Sequence, residues 1–154
     1  MKLVSVVMGS KSDSEAVRPA LEVLTRLGIE YELNVMSAHR TPEKVRQYGL
    51  EARNRGFEVI IAAAGGAAHL PGVLASWSSL PVIGVPLASS ECKGIDALYS
   101  IVQMPAGIPV ACMAIGAAGA KNAAFMAAEI LGLKHEEIRR AYDKYRSDLQ
   151  GEGK

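Results

Sequence analysis

The sequence predicts a three-layer α/β sandwich, in which helices cover both faces of a five-stranded parallel sheet and a further helix ends the chain. Short apolar runs alternate with segments of helical periodicity along the whole sequence. All but one of these runs are apolar at nearly every position, which is typical of parallel strands buried on both faces. The length of 154 residues suits one domain, so we expect a single domain over residues 1–154.

The first strand and helix have the best-marked boundaries. Residues 3–8 form a β-branched run that ends at Gly9, and apolar residues at helical spacing follow it. Ser12, with Glu15 three residues later, forms a capping-box pattern at the start of the helix. Gly28 is placed to end that helix. We therefore predict a strand, a loop and a helix in this order.

The same order repeats in the remainder of the chain. Residues 31–35 predict the second strand, and Thr41 followed by Pro42 marks the start of a helix that runs to Gly56. The later predicted elements are a strand over 59–64, a helix over 71–78, a strand over 82–86, a helix over 96–103, a strand over 110–114 and helices over 118–131 and 135–149.

Composition and charge narrow the class of partner. The formal net charge is only +1 and the charged residues are scattered, so we expect neither nucleic acid nor a membrane surface as a partner. The apolar start spans six residues, too few for a signal peptide, and no stretch of about 18 apolar residues follows it. Cys92 and Cys112 have no disulfide or metal-ligand spacing. These features predict a cytoplasmic protein with a small-molecule partner.

Ligands of parallel α/β sheets bind beyond the carboxyl ends of the strands, and the loops after the first three predicted strands carry unusual residues. The first loop, residues 9–13, places hydroxyls and free backbone amides at a helix N-terminus, where anions are favoured. An ordinary capped turn explains Ser10 and Asp13 equally well. The Asp13 carboxylate would repel a phosphate but would accept hydrogen bonds from ribose hydroxyls. If this loop binds a ligand, we therefore expect a whole phosphoribosyl group.

The second loop, residues 37–41, places His39 beside Arg40 just before a helix cap. A guanidinium suits forked hydrogen bonds to phosphate or carboxylate, and an imidazole exchanges protons near neutral pH. The alternative is a surface pair that merely flanks a turn. Because both residues lie at the ligand-binding edge of the sheet, we favour a functional role for them.

The third loop, residues 64–71, surrounds His69 with small apolar residues. Gly65 and Gly66 let the backbone approach a ligand closely, and the apolar neighbours exclude water. Tight packing of the loop against a helix explains the same pattern equally well.

The sequence favours neither a metal nor a nucleotide cofactor. Its three histidines, His39, His69 and His135, share no metal-ligand spacing. Neither a Walker loop nor a dinucleotide-binding glycine motif is present. We therefore expect no metal and no bound cofactor.

Five segments, in the same order and over nearly the whole chain, resemble the N5-carboxyaminoimidazole ribonucleotide mutases of purine biosynthesis. Each segment alone is a weak signal, but five in sequence are highly specific. The matching segments are residues 8–13 (MGSKSD), 37–42 (SAHRTP), 65–72 (GGAAHLPG), 100–105 (SIVQMP) and 114–116 (AIG).

The resemblance implies a flavodoxin-like or Rossmann-like fold, a homo-octamer, and a reaction without metal, biotin or ATP. It implies that Ser10 and Asp13 bind the phosphoribosyl group and that Arg40 binds its phosphate. The residues implied in binding the base and its carboxylate are Ser37, Gly65, Gly66, Ala67 and His69. It further implies that His39 is the proton carrier and that residues 103–105 reach the site of a neighbouring subunit.

In the implied reaction, the carboxylate moves from the exocyclic N5 to the ring carbon C4. Release of CO2 and its recapture by the electron-rich C4 would achieve this transfer. One proton goes to N5 as CO2 leaves and one leaves C4 afterwards, so a single histidine that cycles between acid and base serves both steps. A tight loop around Gly65 and Gly66 suits the confinement of CO2 beside C4.

Three residues depart from the pattern that we expect of the family. Ala97 replaces an expected serine, and Cys112 and Trp77 stand where smaller or hydroxyl-bearing residues are expected. These differences concern local packing and subunit contacts, and they leave the implied reaction unchanged.

Two other functions fit parts of the pattern. A related carboxylase uses aminoimidazole ribonucleotide and free CO2 directly. We expect that enzyme to carry Lys after the histidine of the second loop and to lack the 65–69 run, so Arg40 and His69 favour the mutase.

A phosphoribosyl-binding sensor on a flavodoxin-like sheet is the non-catalytic alternative, and it would not need His39. Flavin binding on such a sheet is simple to check, because a bound flavin would make the protein yellow.

Overall fold

Five parallel strands form one sheet in the computed structural model, which describes residues 2–151. Strands β1 to β5 are Val4–Met8, Tyr31–Val35, Val59–Gly65, Val82–Leu87 and Ala111–Cys112. They lie in the order β2-β1-β3-β4-β5, so β2 and β5 form the edges. The predicted parallel sheet is confirmed. Met1 and residues 152–154, which belong to the predicted domain, lie outside the described residues.

Helices cover both faces of this sheet. A one-turn 3-10 helix, Lys11–Asp13, leads into α1. Helices α1 to α6 are Ser14–Arg26, Pro42–Glu51, Leu70–Trp77, Ile95–Val102, Ala117–Gly132 and Glu136–Gly151. Helices α1 and α5 pack on one face, α2, α3 and α4 pack on the other, and α6 packs on α5. Within residues 2–151, no helix has the length and apolar character needed to cross a membrane.

Alternation along the central strands builds two cores. Val6 packs in the core beneath α1 and α5, whereas Val7 packs in the core beneath α2, α3 and α4, and both are fully buried. Small buried side chains let α5 lie close to the sheet, and these are Ala120, Ala123, Ala124, Ala127 and Ala128. Because all five strands are parallel, their carboxyl ends meet at one edge of the sheet.

The start of α1 differs from the prediction. The capping box assigned to Ser12 and Glu15 is wrong, because the box consists of Ser10 and Asp13. The Ser10 hydroxyl accepts a hydrogen bond from the Ser12 backbone N–H at 3.3 Å, and Asp13 Oδ2 accepts one from the Ser10 backbone N–H at 3.1 Å. The 3-10 turn explains the shift, since it already includes Ser12 in a helical turn. The predicted helix end at Gly28 is confirmed by its φ of +70°.

The last strand is shorter than predicted. β5 has two residues, whereas the apolar run covers 110–114. The chain nevertheless stays beside β4, because the Met113 N–H donates to the Gly84 carbonyl at 2.8 Å and the Gly116 N–H donates to the Pro86 carbonyl at 2.9 Å. The ladder is therefore interrupted without the chain leaving the sheet.

Helix α2 ends earlier than the predicted position at Gly56. Its last residue is Glu51, whose carbonyl accepts a hydrogen bond from the Arg55 N–H at 3.0 Å. Gly56 has a φ of +90°, which favours glycine. The chain thus leaves α2 through a turn before it enters β3.

An ionic contact fixes the junction of α5 and α6 to the sheet. Glu58, directly before β3, accepts a hydrogen bond from Lys134 Nζ at 2.6 Å, and His135 Nε2 lies 3.0 Å from its second oxygen. Partial burial alone would raise the pKa of the Glu58 carboxyl, but these two partners hold the pKa below its ordinary value. The carboxylate form of Glu58 is therefore favoured in the folded state.

We expect Glu58→Gln to lower the free energy of unfolding by about 0.5–1 kcal/mol near neutral pH. Since the folded-state pKa of Glu58 is depressed, this contribution is complete above the unfolded-state value near 4.5 and is lost as the pH falls through the folded-state value. Urea denaturation near neutral pH and below about pH 4 measures it. Glu22→Gln, which breaks an exposed pair with Arg18, is the control. A difference between wild type and Glu58→Gln that grows at low pH would contradict this assignment.

Candidate functional site

The loops that follow β1 to β4 enclose a cavity of about 400 Å³ at the carboxyl edge of the sheet. All the predicted site residues except Gly66 line this cavity. The lining residues are Gly9, Ser10, Ser12, Asp13, Ser37, Ala38, His39, Arg40, Ala64, Gly65, Ala67, His69, Leu70 and Ser89. A cavity of this size holds a small molecule rather than a macromolecule.

The loop after β1 contributes Ser10 and Asp13. The capping box uses the Ser10 hydroxyl and Asp13 Oδ2 as acceptors, and the Ser12 hydroxyl donates to the Ser10 hydroxyl at 2.9 Å. Partial burial raises the pKa of Asp13, and the hydrogen bond from the Ser10 backbone offsets part of this increase. Asp13 Oδ1 forms no hydrogen bond within residues 2–151. This oxygen is therefore free to accept a hydrogen bond from a ligand hydroxyl.

The loop after β2 is closed by hydrogen bonds to Ser37. Thr41 Oγ1 donates to the Ser37 carbonyl at 3.0 Å and accepts from the Ser37 N–H at 3.1 Å. The Arg40 backbone N–H donates to Ser37 Oγ at 3.2 Å. Thr41 thus holds the loop, and its side chain does not cap α2.

The Arg40 guanidinium lies free at the cavity wall. It is exposed, and it forms no hydrogen bond or ion pair with any other residue of the described range 2–151. A planar guanidinium presents donors that match the oxygens of a phosphate or a carboxylate. The side chain therefore provides an anion-binding group that the protein itself leaves unoccupied.

Gly65 and Gly66 are glycines for two different reasons. A Cβ at Gly65 would overlap the Ser89 hydroxyl and lie 2.8 Å from Ser89 Cβ, so the chain after β4 occupies the space that the sequence suggested for a ligand. Gly66 has a φ of +61°, which favours glycine, and within residues 2–151 no heavy atom beyond its two chain neighbours lies within 4 Å of the position of its Cβ. Gly66 does not line the cavity, whereas Ala67 and His69 do.

His39 and His69 form a direct hydrogen bond, which the sequence did not predict. His39 Nε2 lies 2.8 Å from His69 Nδ1, and the rings meet edge to face with centroids 4.9 Å apart. This bond holds one proton. The two outer nitrogens, His39 Nδ1 and His69 Nε2, do not take part in it. When both rings are neutral, one outer nitrogen therefore carries a proton and the other does not. Proton uptake at one outer nitrogen and release at the other, with a shift of the shared proton, exchanges these roles.

Ser89 is a lining residue that the sequence prediction missed. The prediction considered the loops after the first three strands, but β4 ends at the same edge of the sheet. Ser89 follows the end of β4 by two residues. The same strand-end rule, applied to the fourth strand, would have identified it.

The described part of the chain contains no group of side chains suited to bind a metal ion. Across residues 2–151, no three His, Cys, Asp or Glu side chains are grouped so that they could hold a metal ion. His135 contacts Glu58 before β3, at the amino edge of the sheet, away from His39 and His69.

The three residues that depart from the expected family pattern lie outside the cavity lining. Ala97 is fully buried in the core beneath α4, and Cys112 is a half-buried free thiol in β5. Trp77 is 39% exposed at the end of α3, and the Arg46 guanidinium carbon lies 5.0 Å from the centre of its ring. These departures therefore affect packing and the outer surface.

Comparison with known proteins agrees with this architecture. A protein-family model described as AIR carboxylase matches residues 3–152, nearly the whole chain. The chain belongs to the AIR carboxylase family. Its relatives include proteins named N5-carboxyaminoimidazole ribonucleotide mutase. The one from Saccharolobus solfataricus is 57% identical, over 99% of this chain and 95% of that protein. The one from Pseudomonas aeruginosa is 56% identical, over 95% of this chain and 90% of that protein.

Solved structures allow the fold of this chain to be compared with the folds of known proteins. The crystal structure of Treponema denticola PurE has a TM-score of 0.87 and 32% identity, over 97% of this chain and 92% of that one. A 3-dehydroquinate dehydratase-like protein from Bifidobacterium longum has a TM-score of 0.52 at 20% identity, over 86% of this chain and 99% of that one. The second likeness concerns the fold alone. The flavodoxin-like fold expected for the family is therefore confirmed.

Proposed function

We propose that this chain is an N5-carboxyaminoimidazole ribonucleotide mutase of purine biosynthesis, an isomerase that moves a carboxylate from N5 to C4. The observation that carries the proposal is the hydrogen-bonded pair of His39 and His69 in a cavity that also contains the Arg40 guanidinium. This combination provides proton exchange and anion binding within one site. The names of relatives at 51% to 57% identity support the same reaction.

Substrate binding is divided among the loops of the cavity. Arg40 binds the phosphate, and Ser10 and Asp13 bind the ribose, with Asp13 Oδ1 as an acceptor for a sugar hydroxyl. The base and its carboxylate lie at Ser37, Gly65, Gly66, Ala67 and His69. Within this set, Gly66 acts through the conformation of its loop, since its φ is positive and it does not line the cavity.

His39 carries the proton in both halves of the reaction. Protonated His39 delivers a proton to N5 while the bond between N5 and the carboxyl carbon breaks, and the electron pair of that bond stays on nitrogen as CO2 leaves. C4 then attacks the retained CO2 and forms the new carbon–carbon bond. Neutral His39 finally removes the proton from C4, so the cycle consumes neither a proton nor a cofactor. A positioned proton carrier of this kind contributes about 10² to 10⁴ in rate.

Direct conversion of the substrate tests the proposal. Purified protein, without ATP, is expected to interconvert the N-carboxy and C-carboxy ribonucleotides, which carbon-13 NMR of a labelled carboxylate follows. The label should remain in the product when unlabelled bicarbonate is present, because the CO2 is confined beside C4. A requirement for free bicarbonate with no use of the N-carboxy substrate would assign the carboxylase reaction instead. Nucleotide binding without any turnover would assign a sensor.

A cytoplasmic homo-octamer built from this single domain is part of the same proposal. Helix α4 exposes Ile95, Tyr99 and Val102, three apolar side chains at helical spacing. Residues 103–105 follow this surface and do not line the cavity of their own chain, which suits a contribution to a neighbouring site. Light scattering on the full chain is expected to give eight times the mass of one chain, and a monomer would contradict the proposal.

A further inference from the structure

Ser89 lines the cavity, yet none of the roles proposed above uses it. Within residues 2–151, its hydroxyl forms no hydrogen bond. The neighbouring Ser90 hydroxyl, in contrast, donates to Asp96 Oδ2 at 2.6 Å and accepts from the Cys92 N–H at 3.2 Å. The two adjacent serines thus differ, because Ser90 stabilises its own loop and Ser89 leaves a free hydroxyl at the cavity wall.

The exposed Ser89 side chain lies beside Gly65, at the end of β3. Gly65 in β3 has no side chain at the point where the hydroxyl lies, and a Cβ there would overlap it. The loop that continues from Ser89 to α4 includes two consecutive residues with positive φ, Lys93 at +54° and Gly94 at +89°. The Ser89 hydroxyl therefore lies at the end of β3, although Ser89 itself follows β4.

The order of the strands places Ser89 and Arg40 at opposite sides of the cavity. Arg40 follows β2 and Ser89 follows β4, which are separated by three steps in the order β2-β1-β3-β4. At about 4.8 Å per step, this separation is roughly 14 Å. A nucleotide anchored at Arg40 by its phosphate therefore reaches the ends of β3 and β4 with its ring.

We propose that the Ser89 hydroxyl hydrogen-bonds the substituents on the imidazole ring of the substrate, an inference that rests on the proposed function. A hydroxyl is both a donor and an acceptor. It donates to a carboxylate oxygen while the carboxylate is on N5 or on C4, and it accepts from the N5 amine after CO2 has left. Ser89 thus holds the ring in place during the interval in which CO2 is free.

Ser89→Ala tests the inference, because it removes this hydroxyl without breaking a hydrogen bond inside the described chain. The kcat/KM for the N-carboxy ribonucleotide is expected to fall about 10- to 100-fold, the effect of losing one hydrogen bond to a charged carboxylate. Ser89→Cys has nearly the same shape but a weak donor, and we expect a similar loss. Ribose 5-phosphate has the sugar and phosphate but no ring, so its inhibition constant should stay unchanged in both variants.

Ser90→Ala is the matched control, and it should keep the wild-type kcat/KM while it unfolds at a lower urea concentration. An unchanged kcat/KM in Ser89→Ala, beside an active wild type, would overturn this inference alone. Weaker inhibition by ribose 5-phosphate in Ser89→Ala, or full activity in Ser89→Cys, would also overturn it. A wild-type protein that does not interconvert the two ribonucleotides would overturn the proposed function and this inference with it.

Discussion

A His39→Asn variant is expected to lose about 10² to 10⁴ in kcat and to keep nearly the wild-type affinity for the ribonucleotide. The asparagine amide can still hydrogen-bond His69, but it cannot take up or release a proton near neutral pH. Both halves of the proposed reaction need this proton, at N5 first and at C4 afterwards, so both directions slow together. Steady-state kinetics measures kcat, and calorimetric titration with aminoimidazole ribonucleotide measures the affinity.

His135→Asn is the matched control for this variant. It makes the same exchange beside Glu58, before β3 and outside the cavity lining, so it should lower stability and leave kcat unchanged. Turnover at the wild-type rate in His39→Asn would remove His39 from its role as proton carrier. A large loss of nucleotide affinity in the same variant would point to a binding role instead.

An Arg40→Met variant is expected to raise KM roughly 10- to 100-fold with a smaller effect on kcat. Hydrogen bonds to charged groups contribute about 1.5–3 kcal/mol, which corresponds to a factor of this size. The phosphate does not react, so Arg40 binds it equally in the ground state and the transition state. Loss of this contact therefore raises KM. Methionine keeps much of the side-chain length and removes the charge, and the guanidinium has no partner among residues 2–151 that the change would leave unpaired.

Arg46→Met provides the control for charge removal. Arg46 pairs with Glu43 at 3.0 Å and lies over the Trp77 ring, outside the cavity lining, so its replacement should leave KM unchanged. Inhibition by ribose 5-phosphate should weaken in Arg40→Met, whereas it should stay unchanged in Ser89→Ala. A lower kcat at constant KM in Arg40→Met would contradict a role in phosphate binding.

The central strands could be predicted from the sequence because burial on both faces requires continuous apolar runs, as in residues 59–64. The length of β5 could not be predicted in the same way. An edge strand pairs on one side only, and the ladder between β4 and β5 stops at Cys112 although the apolar run continues. The capping box was misplaced because Ser10 and Ser12 both precede an acidic residue by three positions. Only the 3-10 turn decides between them.

The loops of the site could be predicted because glycine, histidine and arginine are unusual at the ends of buried strands. The hydrogen bond between His39 and His69 could not, since the two residues are 30 positions apart and neither loop shows the strand order β2-β1-β3 that brings the loops together. The reason for a glycine at position 65 could not be predicted either, because it also depends on a contact between distant parts of the chain. The side chain that excludes a Cβ there belongs to Ser89, on a different strand end.

The close approach of Ser89 to Gly65 links two positions that lie far apart along the chain. A methyl group at position 65 finds room only if the Ser89 side chain shifts or is lost, and the Leu87 carbonyl oxygen would also lie 3.2 Å away. A change from Gly65 to alanine is therefore expected to need a change in the position or the identity of residue 89. In descendants of this sequence, the two positions are expected to change together or to stay as they are.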